Sequence, residues 1–306
     1  MADTQNRFYD QPILNSPYGV PTKHWELDDA GQPTQHLIEK RRPSSYVTPI
    51  PKPRKASGGQ AVQQQLVIDE GLGLTSADTT YDVTGRINAI RDYVDAWRRI
   101  PSPSKWSVTP TTARLLQHWR THSFSGIRPF YCQIEAVETA IWLTEVAPTT
   151  AQGRRLLETL KDANEASNPG LLRMALKLAT GAGKTTVMAM IIAWQVTNAV
   201  RQPQSDRFTT GFLVVTPGIT IRDRLRVLKP NDPDSYYQSR ELVPPDLLQD
   251  MQRARIVITN YHAFQKRDTL ELSRGNRDLL AGQGGTIDTR ESDGQMLLRA
   301  ARDLDG

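Results

Sequence analysis

The chain has 306 residues, 38% of them apolar, with a formal charge of +5 and a pI near 9.3, enough for a buried core and for one large or two ordinary domains. Its longest strongly apolar run, Val187 to Trp194, falls far short of the roughly 20 residues of a membrane span, and no basic-then-apolar leader opens it, so a cytoplasmic protein with no membrane partner is expected. A single cysteine, Cys132, excludes an internal disulfide and offers no metal-ligand spacing.

Residues 1–83 are rich in Pro, Ser, Gln and Gly and are expected to form an irregular, partly disordered extension, with a short strand at Leu66-Val67-Ile68. Residues 84–170 read as helical. Ile87, Ile90, Val94 and Trp97 share one face of a first helix that ends at Pro101. Thr109 before Pro110 signals the start of a second, since the hydroxyl can cap free N–H groups and proline suits the first turn. A third runs from Gln133 to about Glu145, and residues 148 to 170 form a polar helical insertion.

From Leu172 the pattern changes. Leu172 to Leu178, Phe212 to Thr216 and Ile256 to Thr259 read as buried strands, with a helix from Thr185 to about Thr197, so residues 171–306 predict an α/β domain with a parallel sheet. Residues 228 to 252 form a long insertion between strands, and the tail carries a Gly282 to Gly285 loop and a last helix from Met296 to Arg302. Basic clusters at Lys40 to Arg42, Arg98-Arg99 and Arg222, Arg224 and Arg226 suit a polyanion, and equally a solvated surface.

The strongest chemical signal is Ala179-Thr180-Gly181-Ala182-Gly183-Lys184-Thr185-Thr186, placed after a predicted strand and opening a predicted helix. Glycines let backbone N–H groups converge on a triphosphate, and the helix N-terminus adds partial positive charge. Lys184 supplies an ammonium to the β- and γ-phosphates, and the Thr185 hydroxyl is placed to ligate Mg²⁺, so ATP and Mg²⁺ are the expected cofactors. The strict P-loop pattern asks for glycine where Leu178 stands.

With Arg128-Pro129-Phe130-Tyr131-Cys132-Gln133, Val214-Val215-Thr216-Pro217 and Ile256-Val257-Ile258-Thr259-Asn260-Tyr261 added, the chain resembles the restriction (R) subunit family of type III restriction enzymes and the wider helicase superfamily 2. The resemblance implies a RecA-like P-loop three-layer fold over 171–306, as an incomplete first motor domain. It also implies that Gln133 reads the adenine edge within a nucleotide-binding segment that includes Arg128, since an amide donates and accepts at once. Thr180, Gly181, Ala182, Gly183, Lys184, Thr185 and Thr186 would hold the nucleotide. Thr216, Gly218 and Arg222, with Thr259, Asn260 and Tyr261, would contact double-stranded DNA. A DNA-methylating modification subunit is a further candidate partner. His262 has no second catalytic group beside it and reads as packing.

A motor of this kind also needs an acidic pair at the end of the next strand. The carboxylates after Phe264, namely Glu291, Asp293, Asp303 and Asp305, lie in polar or helical context, and Leu66-Val67-Ile68-Asp69-Glu70 precedes the loop. The chain is therefore expected to be the ATP-binding N-terminal part of a DNA helicase or translocase, truncated before the acidic motif and inactive in hydrolysis alone. The alternative is a non-catalytic nucleotide- or DNA-binding module that needs a partner chain.

Overall fold

The computed structural model describes residues 7–28, 30–44, 83–266, 291–301 and 304. The expected Leu66 to Ile68 strand, the Asp69-Glu70 pair and the Gly282 to Gly285 loop lie outside them. The chain divides into two units, residues 1–116 with 129–184, and residues 117–128 with 185–306.

In the first unit, residues expected to be irregular hold a small antiparallel hairpin, β1 (His24–Leu27) and β2 (Pro33–Ile38), with Trp25 opposite Leu37. Local side chains stand in for a core here. The Asp28 carboxylate accepts from the N–H groups of Ala30 and Gln32 at 3.0 and 2.8 Å, closing the turn. The Asn15 amide accepts from the N–H of Thr22 and donates to the Lys23 carbonyl, both at 2.8 Å. Such Asx contacts fold short polar segments that bury little apolar surface.

Helix α1 (Val83–Arg98) buries Val94 and Trp97, as its spacing predicts, and the Trp97 indole donates to the Trp106 carbonyl at 2.9 Å. Helix α2 (Pro110–Thr121) begins at the expected cap, where the Thr109 hydroxyl accepts from the Thr112 N–H at 3.0 Å. The buried Glu145 carboxylate completes that cap, accepting from the Thr109 N–H at 2.8 Å and from the Thr112 hydroxyl at 2.7 Å. Glu145 lies in a wide π turn (Trp142–Val146) that continues α3 (Tyr131–Ile141). In α4 (Ala151–Ser167) glycine is required at position 153, because a Cβ there would collide with the Ala147 backbone.

Residues 171–180 depart from expectation. They form no strand, and Leu172 is 81% exposed. A continuous apolar run meets the side-chain requirement of a buried strand, but a strand also needs a neighbour's N–H and C=O groups, and no described strand lies beside this segment, whose Leu171 carbonyl and Arg173 N–H are met instead by the Asn164 side chain, each at 2.9 Å. Its Leu176 and Leu178 instead line a cavity of about 1040 Å³ with Ile90, Ala136, Leu143 and Leu160.

The second unit holds most of α5 (Lys184–Arg201), which buries Val187, Met190, Ile192, Trp194 and Val196 on several faces. Strands β3 (Gly211–Thr216) and β4 (Arg255–Asn260) pair in parallel, with Val214 opposite Ile258 and Thr216 opposite Asn260. The long insertion between them has its own core of Leu228, Tyr237, Leu242, Leu247 and Met251. Residues 117–128 close on it: the Trp119 indole donates to the Leu242 carbonyl at 2.8 Å, and His122 pairs with Glu241 at 2.7 Å. The last helix, α6 (Asp293–Ala301), is tied by Arg299 to Glu291 at 2.8 Å. The architecture is thus mixed helix and strand with a two-stranded parallel sheet among the described residues, compatible with a RecA-like domain. No described helix is long and apolar enough to cross a membrane.

Candidate nucleotide site

Residues 179–183 turn sharply into α5. Gly181 and Gly183 have φ of +80° and +72°, the left-handed region that residues with a Cβ avoid. A Cβ at Gly181 would meet nothing, so its side-chain face is open space. The Ala182 N–H donates to the Ala179 carbonyl at 3.3 Å, and the Lys184 ammonium donates to the same oxygen at 2.8 Å. Lys184 is exposed and begins the helix, so its charge and the free N–H groups of the first turn lie at one end of α5. A hard anion with several oxygens suits this donor set. Thr180 is exposed and Thr185 half-buried, whereas the Thr186 hydroxyl is buried and accepts from Arg240 at 3.2 Å. Arg240 lies over the Tyr236 ring at 3.8 Å.

Gln133 reaches the loop directly. It is only 4% exposed; its amide oxygen accepts from the Phe130 N–H at 3.0 Å and its amide nitrogen donates to the Ala182 carbonyl at 2.8 Å. Both ends of the amide are therefore engaged, and reading a base edge requires exchanging at least one of these bonds. Arg128 is exposed and falls in the other unit.

Behind Gln133 lies a buried ionic cluster that the sequence did not announce. The Arg98 Nε donates to the fully buried Glu138 at 2.5 Å, its Nη1 pairs with Asp95, and the same nitrogen donates to the Tyr131 hydroxyl at 2.9 Å. Burial alone would lower the Arg98 guanidinium, and Glu138 more than reverses this, leaving it raised. Burial pushes the Tyr131 phenol up from 10.0 to about 12. A phenol raised on folding contributes stability that is complete below its unfolded value and is lost as pH rises through the folded one. Between pH 10 and 12, wild type is expected to lose at most about 2 kcal/mol more than Tyr131→Phe. Urea melts across that range check this, and parallel declines would refute it.

The DNA-facing candidates come together in part. Thr216 and Asn260 are paired at the C-terminal ends of β3 and β4, where parallel sheets place ligands. Thr216 is buried, however, with its hydroxyl directed at the carbonyls of Gly218 and Thr259 at 3.0 and 3.3 Å. Asn260 accepts from the Ala263 N–H at 3.2 Å and so caps the turn after β4. Tyr261 is exposed and rests against His262. Arg222 is exposed and held by its neighbour Asp223 at 3.1 Å, a contact that solvent weakens.

A family model described as "Type III restriction enzyme, res subunit" matches residues 126–282, just over half of the chain, and spans Gln133, the glycine loop and both parallel strands. Neither the curated proteins nor the solved structures provide a match.

Proposed function

The chain belongs to the type III restriction enzyme res subunit family, whose members are helicase-like and ATP-dependent, and from that premise we propose that it binds ATP·Mg at the loop of residues 180–186 and contacts duplex DNA along residues 216–222 and 259–261. The observation that carries the nucleotide half is the pair of left-handed glycines running into α5 with Lys184 at its first position. Backbone N–H groups and the ammonium would bind the phosphates, and Gln133 would orient the base. Lys184 would leave the Ala179 carbonyl to do so, exchanging a neutral acceptor for a charged one. Mg²⁺, held through Thr185 and the nucleotide's own oxygens, would offset the phosphate charge.

Calorimetric titration of the chain with ATP and Mg²⁺ tests this. One saturable site is expected, and no heat up to millimolar ATP would end the nucleotide reading. For the DNA half, basic residues near Thr216 should release counterions when they meet phosphates. Arg222→Ala is expected to weaken duplex binding at all sequences and to reduce the slope of log affinity against log salt by about one. An unchanged slope would remove Arg222 from the interface.

A further inference from the structure

The first turn of α3, which carries Gln133, is fastened from far upstream. The Tyr131 N–H donates to the Pro17 carbonyl at 2.8 Å, providing a partner for one of the N–H groups that a helix start leaves open. The Tyr18 ring meets the Phe130 ring at 5.6 Å. The strongest tie is Arg41, whose Nη2 donates to Glu135 at 2.6 Å, with the two side chains 19% and 17% exposed. Its Nη1 stands 3.5 Å from both Asp95 and the Tyr131 hydroxyl, and the guanidinium lies 5.5 Å from the Tyr131 ring centre. Asn88 of α1 then clasps Ser44, accepting from its N–H at 2.8 Å and donating to its carbonyl at 3.0 Å. Residues 41–44 are thus fixed to α1 and α3 together.

We propose that Arg41 is a positioning residue for the base end of the nucleotide site: by fastening the N-terminal segment across the first turn of α3, it keeps Gln133 in register with Ala182 of the phosphate loop. The physical route is short. Glu135 lies two residues after Gln133, and the Gln133 amide depends on the Phe130 N–H, one residue before the Pro17 contact. Without Arg41 the turn loses its 2.6 Å side-chain tie to this segment. Its first residues would then fray before the rest of the helix. The Gln133 amide would lose its placement while Gly181, Gly183 and Lys184 kept theirs. Arg41 therefore bears on base discrimination and not on phosphate affinity.

This proposal rests on the ATP reading, and its test separates the two. The full chain, Arg41→Ala, Arg41→Lys and the charge exchange Arg41→Glu with Glu135→Arg are titrated with ATP, GTP and inorganic tripolyphosphate. Arg41→Ala is expected to lower ATP affinity about tenfold, to near that of GTP, the worth of a placed hydrogen bond, while tripolyphosphate affinity stays within about twofold. Arg41→Lys, which keeps the charge without the fork, should fall between. The charge exchange should restore the preference for ATP. If Arg41→Ala kept the wild-type ATP to GTP ratio, or if wild type itself bound the two alike, the proposal would fall and the phosphate loop would stand. Should Arg41→Ala fail to fold, the charge exchange decides: a cooperative melt without recovered preference overturns the proposal. A wild-type chain that binds neither tripolyphosphate nor ATP would instead sink the nucleotide reading itself.

Discussion

Glu138→Ala is expected to destabilise the first unit by about 3 to 5 kcal/mol, a large share of the roughly 5–15 kcal/mol that holds an ordinary domain folded. Glu138 is 0% exposed and receives the Arg98 Nε at 2.5 Å, and the Arg98 side chain is itself only 16% exposed. Truncating the carboxylate leaves a buried guanidinium with Asp95 as its remaining close carboxylate, and with its Nη2 already lacking a hydrogen-bond partner. The cost lies in the stranded charge more than in the lost contact. Two buried charges have each given up hydration, and their mutual attraction does little more than offset that loss. Removing both is therefore expected to be milder than removing one. Glu138→Leu with Arg98→Met should recover most of the stability of the single variant, giving a favourable coupling of at least 1 kcal/mol in the double-mutant cycle. Urea denaturation measures both. Additive single effects would mean that the pair is not what holds α1 against α3.

That cluster also marks where the sequence stopped being informative. The apolar stripe of α1, the Thr109-Pro110 cap and the β-branched runs of β3 and β4 are legible because helix period, capping and strand propensity act between near neighbours. The glycine loop is legible for the same reason, since six consecutive residues carry the whole pattern. Glu138 is different. It stands beside Val137 and ahead of Ala140 and Ile141, all of them buried, and nothing local tells that Arg98, forty residues earlier, arrives to neutralise it. Arg41 was read with Arg42 as part of a basic cluster, yet its guanidinium is committed to Glu135 inside the unit. Charge counting cannot separate a cation that faces a partner from one that faces solvent. The segment from Leu172 to Leu178 shows the converse. Its apolar run is a real signal of burial, and it does line a cavity, but strand formation depends on hydrogen-bond partners that the run itself does not contain. The family resemblance implies that Thr216 contacts DNA. Its hydroxyl turns inward to two carbonyls, which depends on the register of β3 on β4 and not on the residue type.

Lys184→Ala is expected to weaken ATP·Mg binding by about ten- to a hundredfold, the worth of a charged hydrogen bond of about 1.5–3 kcal/mol, while leaving the melting transition nearly unchanged. The two halves of that expectation have separate causes. Lys184 is exposed, and its ammonium rests on the Ala179 carbonyl at 2.8 Å, a neutral contact that solvent can replace. Folding therefore loses little, within about 0.5 kcal/mol for a surface change of this kind. A triphosphate loses more, because no other cation stands in residues 179–186. Gly181→Ala is the informative comparison. Its Cβ would enter open space, so the fold meets no clash, but alanine at φ of +80° costs about 1–2 kcal/mol of backbone strain. That variant should melt earlier as well as bind more weakly, whereas Lys184→Ala should only bind more weakly. If the lysine variant binds ATP as tightly as wild type, the anion is seated elsewhere, and the left-handed turn at Gly181 and Gly183 has some purpose other than cradling phosphate.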